Sequence, residues 1–206
     1  DPTLDKFFKQ AAEKGIIIIT ASGNNGSGTI GQPASSDYSE AVGAIDKNGK
    51  KTSFSQYGEG LTYVAPGQYI YSTWPGDKTA ILSGTSMATP HVTGIYALVA
   101  SFWPDASPEM IKKHIQKYAT DIDPNGYDIF TGYGVPVIDK LLTNEPKTGD
   151  NPDEPDDPID EPDIIKPVRD ITVVLDSLTI VWGVGSFTDQ RLLNLEFDVS
   201  VNTTLQ

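Results

Sequence analysis

The chain has 206 residues, no cysteine, 28 acidic against 15 basic side chains and a formal net charge of −13. Disulfides and thiolate metal sites are excluded outright, and the acidity argues against a nucleic-acid partner. No apolar run reaches the roughly 18–20 residues that a membrane-spanning helix needs.

The charge is unevenly spread. Residues 1–144 hold 11 basic and 14 acidic side chains, whereas residues 145–163 hold one lysine and nine acids. The globular part is therefore nearly neutral. The opening Asp1-Pro2-Thr3-Leu4 lacks an initiator methionine and the basic start of a signal peptide, and reads as an internal start.

Taken in order, Leu4, Phe7, Phe8 and Ala11 fall at i, i+3, i+4 and i+7 and predict an amphipathic helix, closed by Gly15. Ile16–Ile19 is a short β-branched run that predicts a strand buried on both faces, as in a parallel sheet. The polar, glycine-rich loop Thr20–Gly28 follows. Further strands are predicted at Ala41–Ile45, Leu61–Ala65, Ile70–Thr73 and Thr79–Leu82. Met87 to about Phe102 is apolar nearly all round, which predicts a core helix. Within it Gly94 would allow close approach of another backbone, and Pro90 is tolerable only near the start. A last helix is signposted by Ser107 as N-cap, Pro108 in the first position, and Ile111, Ile115 and Tyr118 on one face. The whole is an α/β layered domain.

After about Thr143 the composition breaks. Residues 144–167, with six prolines among the acids, predict an extended, self-repelling linker. Residues 168–206 show apolar alternation (Leu195, Phe197, Val199, Val201) and predict a short β segment, with a truncated β domain as the alternative. The expected division is thus 1–143, 144–167 and 168–206.

Chemistry concentrates in Gly84-Thr85-Ser86. A nucleophilic serine needs an exposed hydroxyl and nearby backbone N–H groups for the developing oxyanion. The start of a helix offers both, because its first N–H groups have no intrahelical partner. The run Ser83-Gly84-Thr85-Ser86-Met87-Ala88-Thr89-Pro90-His91-Val92 resembles the nucleophile motif of the subtilisin-like serine proteases. Other segments follow in that family's order. Ala21-Ser22-Gly23-Asn24-Asn25-Gly26 resembles its oxyanion-asparagine segment. Val64-Ala65-Pro66-Gly67 and the closing Gly132-Tyr133-Gly134-Val135 also match, so the resemblance covers roughly residues 3–142.

The resemblance implies the C-terminal half of a subtilisin-like parallel sheet and a serine endopeptidase acting through an acyl-enzyme. Ser86 would be the nucleophile, Asn24 the side-chain oxyanion donor, and Ala21 and Gly23 the wall of the first specificity pocket. It also implies a polypeptide substrate, no required cofactor, a secreted or cell-surface location, and room for a structural calcium at carbonyls near residues 33–42. No side-chain metal site is expected.

One departure stands out. The family order is Asp, then His, then Ser, yet only about twenty residues precede Asn24 and they contain no histidine. The two histidines are His91 and His114. His91 lies five residues past Ser86, about 140° round the helix at 100° per residue, and so points away from it. Both are expected to be structural. The base and its orienting Asp are expected from an upstream segment. The alternative is a non-catalytic fragment, or one half of a split enzyme.

Overall fold

A computed structural model describes residues 2–122 and 126–146. The expected linker beyond Pro146 and the expected β segment lie outside the described residues. Helix α1 spans Pro2–Ala12, and strand β1 spans Ile18–Ala21. Strands β2 (Ser39–Ile45) and β3 (Leu61–Pro66) complete a parallel sheet of order β1-β2-β3. Strands β4 (Ile70–Trp74) and β5 (Lys78–Leu82) form a separate antiparallel hairpin, an arrangement not foreseen in the sequence. Helices α2 (Thr85–Phe102), α3 (Pro108–Tyr118) and the short α4 (Ile138–Thr143) follow.

The expected strand at Ile16–Ile19 begins two residues later than predicted. The Ile16 N–H closes α1 by donating to Ala11 O at 3.1 Å, so Ile16 belongs to the helix cap. Nor is β1 buried on both faces; all four of its residues are half-buried. Among the described residues it pairs with one neighbour, β2, from Ile18 with Ser39 to Ala21 with Val42. The strands covered on both faces are β2 and β3, whose Ala41–Ile45 and Leu61–Ala65 segments are wholly buried.

The core forms where α2 packs across the three parallel strands. Ala88, Val92, Tyr96 and Val99 of α2 meet Val42, Ala44, Tyr63 and Ala65 of the sheet, while α3 and α4 add Ile111, Ile115 and Leu141. α3 starts as expected: Ser107 accepts the Met110 N–H at 3.2 Å and Pro108 opens the helix. α2 is not buried all round. Pro90, His91, Gly94 and Leu98 are exposed, and no atom lies within 4 Å of a Cβ built on Gly94. The close backbone neighbour expected there is not among the described residues. Pro90 also removes the N–H that would have reached the carbonyl of Ser86.

The closing glycines are steric requirements. A side chain at Gly132 would overlap the Thr62 carbonyl, and one at Gly134 the Thr120 carbonyl. Their absence lets this segment bond along β3, with Tyr133 N donating to Thr62 O (2.9 Å) and Val64 N to Gly134 O (3.0 Å).

Candidate active site

Ser86 is the second residue of α2, half-buried at the mouth of an 18-residue helix with no acidic side chain in its first turn. The positive end of the helix dipole is therefore uncompensated there and favours an anion. The turn leading to it is held by backbone. Gly84 N donates to Gly67 O at 2.8 Å, Tyr69 N donates to Ser83 Oγ at 2.9 Å, and Met87 N donates to Gly84 O at 3.0 Å. Gly67 permits this approach, since a Cβ there would stand 2.5 Å from Ala44 Cβ and 2.8 Å from Gly84 O.

Asn24 reaches the same helix mouth from the loop after β1. Its Oδ1 accepts the Thr85 N–H at 2.8 Å and the Thr85 hydroxyl at 3.0 Å. A backbone N–H can only donate, so the atom facing it must be the carbonyl oxygen. The whole carboxamide lies over Gly84, with Nδ2 and Oδ1 3.5 and 3.6 Å from where a Cβ of that glycine would stand. Thr85, fully buried, completes the arrangement by accepting the Gly23 N–H at 3.3 Å. With Thr85 N and Met87 N engaged, the Ser86 N–H is the donor left at the helix mouth. The site thus combines a hydroxyl, an oriented amide and a backbone N–H at the positive end of a helix.

The loop carrying Asn24 is laced to residues 54–57. Gln56 N donates to Gly23 O (2.9 Å), Gly26 N to Phe54 O (2.8 Å) and Tyr57 N to Ser27 O (3.1 Å). Ser22 Oγ donates to Gln56 O at 3.0 Å. Gly23 has φ +114°, and the carboxamide of Gln56 occupies the space where its side chain would stand. Ala21 ends β1 half-buried, one residue before this lacing begins.

The histidines lie elsewhere. His91 is exposed on α2 with Nδ1 2.8 Å from Met87 O, and His114 is fully buried with Nε2 2.9 Å from Leu141 O, joining α3 to α4. Neither hydrogen-bonds Ser86. Among the described residues no group of three or more His, Cys, Asp or Glu could hold a metal ion, and no helix is long and apolar enough to cross a membrane. Two residues of the site went unnoticed in the sequence. Thr85 lay inside the motif, but only its bond to Asn24 across 61 positions gives it a role. Gln56 carried no local signal.

A parallel sheet is thus crossed by a core helix that opens at Ser86, with Asn24 bonded to the preceding Thr85. Residues 1–134 match the subtilase family model (peptidase S8). The chain belongs to the subtilase family. It is 47% identical over 120 residues to the M-protease of Shouchella clausii (strain KSM-K16), covering 58% of this chain and 32% of that protein. It is likewise 47% identical over 120 residues to subtilisin Savinase of Lederbergia lenta, covering 58% and 45%. Among solved structures, the prenylagaramide maturation protease PagA superposes with a TM-score of 0.63 at 32% identity, covering 69% of this chain and 55% of that one. A lanthipeptide protease, at 22% identity and a TM-score of 0.64, shares the fold. The chain spans a third to a half of the length of these curated relatives.

Proposed function

We propose that this chain is the nucleophile- and oxyanion-bearing part of a serine endopeptidase. Ser86 Oγ attacks the scissile carbonyl, the C–N bond breaks as the amine leaves with a proton, and water then hydrolyses the ester on Ser86. Asn24 Nδ2 and the Ser86 N–H hold the oxyanion. The observation that supports this reading is the pair of hydrogen bonds from Thr85 N and Oγ1 to Asn24 Oδ1, which leaves Asn24 Nδ2 as the amide's free donor next to the serine's neighbour in the chain. Ala21, at the end of β1, and Gly23, in the loop after it, form one wall of the pocket for the residue before the scissile bond.

The general base and its orienting carboxylate come from a segment that precedes these residues in the family order. The features in favour are the open edge of β1, the empty space over Gly94 and the exposed Leu98 (48%), all of which suit covering by further chain. Without that segment the described residues form a site with its oxyanion donors but no base, the second reading. A polypeptide substrate and a location outside the cell go with the first.

A structural calcium is a further part of the proposal. Carbonyl oxygens of Pro33, Ala34 and Ser36 converge within 3.2–3.4 Å of the Ser39 hydroxyl. Pro33 O and Ser36 O also accept the N–H groups of Ser36 and Ser39 at 3.2 and 3.1 Å, and each carbonyl keeps a second lone pair of the kind a hard cation takes. Calcium should raise the melting temperature of the protein and a chelator should lower it; equal melting curves in both would remove the cation.

The catalytic reading is tested by trapping. A chromogenic peptide ester is mixed with the chain joined to the preceding family segment, quenched in acid and digested. An acyl mass on the Ser86 peptide, absent from Ser86→Ala, is expected. Hydrolysis that persists in Ser86→Ala would overturn it.

A further inference from the structure

We propose that Gln56 is a positioning residue for the oxyanion donor Asn24, a role that rests on the peptidase reading above. Gln56 engages the Asn24 loop at both ends. Its backbone N–H donates to Gly23 O at 2.9 Å, one residue before Asn24, and its side-chain Nε2 donates to Thr29 O at 2.6 Å, five residues after. Its own carbonyl accepts the Ser22 hydroxyl at 3.0 Å. The other links between this loop and residues 54–57 are backbone to backbone, from Gly26 N to Phe54 O and from Tyr57 N to Ser27 O. Those, the Gln56 N–H to Gly23 O and the Ser22 hydroxyl to Gln56 O all survive Gln56→Ala; the side-chain bond to Thr29 O and the packing of the carboxamide against Gly23 do not.

The carboxamide also has a steric task. It fills the volume that a Cβ on Gly23 would take, so it packs directly against the residue that precedes Asn24. Asn24 is thereby held between two supports. Thr85 fixes which way its amide faces, and Gln56 fixes where the loop stands. Asn24 is itself exposed and has no burial of its own to restrain it. A donor that stabilises developing charge acts through fixed geometry, so displacing the loop by a fraction of an ångström weakens the transition state more than the bound substrate.

The test is a kinetic cycle in the protein assembled with its base-bearing segment. Gln56→Ala should lower kcat about tenfold with KM within about twofold, the pattern of a contact made in the transition state. In an Asn24→Ala background the same change should cost less than about twofold, because the donor it positions is gone. A Gln56→Ala loss equal in both backgrounds would overturn the proposal, as would an unchanged kcat in the wild-type background. Ser86→Ala separates the two levels: if it keeps full activity the peptidase reading fails, whatever Gln56 does. Thermal melts of Gln56→Ala are run beside the cycle, and retention of the wild-type Tm is expected, since the backbone links remain.

Discussion

Asn24 matters through its orientation, and that is where single substitutions should speak most clearly. Asn24→Ala should lower kcat by about 10²–10³ with little change in KM, measured in the assembled enzyme. That magnitude is the one found for an oxyanion-hole asparagine of a subtilisin, a relative, and is carried over rather than calculated. Thr85→Val keeps the shape, removes the hydroxyl bond and leaves the N–H bond, so kcat should fall by about tenfold, equivalent to about 1.4 kcal/mol. A second residue-scale prediction concerns the buried phenols Tyr63 and Tyr96, whose hydroxyls lie 3.0 Å apart. Burial pushes both well above the usual tyrosine range, Tyr96 being raised further by Tyr63. A pKa raised in the folded state means the unfolded chain loses these protons first. Their contribution is complete below about pH 10 and declines above it. Stability measured by denaturant should therefore fall more steeply above pH 10 in the wild type than in Tyr63→Phe/Tyr96→Phe. Tyr63→Phe alone removes one hydroxyl of the pair and should cost about 1–3 kcal/mol, more than the double variant. Ser86 and Asn24 were proposed from the sequence because each sits in a contiguous, characteristic segment. Thr85 and Gln56 were not, because their roles exist only once segments 30–60 residues apart are brought together.

Among elements, α3 was read most completely, since its signals are local: a capping serine, a proline in the first position and a spaced apolar face. Ser107→Ala should lower stability by about 0.5–2 kcal/mol in a denaturant titration, the usual value of an N-cap, without moving catalytic constants. β1 and α2 were read less well, and for one reason. A run such as Ile16–Ile19 carries the apolarity of a buried strand, but burial depends on a neighbour that local sequence does not reveal. The outward residues of α2 pose the same problem: Leu98 is apolar yet 48% exposed. The hairpin of β4 and β5 was seen as two strands, but its antiparallel pairing from Ile70–Leu82 to Trp74–Lys78 was missed. The turn at Pro75-Gly76-Asp77, with Gly76 at φ 79° and Asp77 at φ 54°, was the available signal.

For the molecule as a whole, the fold class was legible because short apolar strands, a largely apolar core helix and the order of short motifs can all be read in one sequence. In the structure Asn24 bonds Thr85 at the helix mouth beside Ser86 in the chain, and His91 and His114 bond Met87 O and Leu141 O instead. The proposed site therefore needs its base from elsewhere. The direct measurement is labelling by a fluorophosphonate probe, which needs an activated serine. Little labelling of the chain alone is expected, with Ser86-dependent labelling on adding the preceding segment of the subtilase domain. Strong Ser86-dependent labelling of the chain alone would contradict the missing base, and no labelling of a verified assembly would contradict the catalytic site itself.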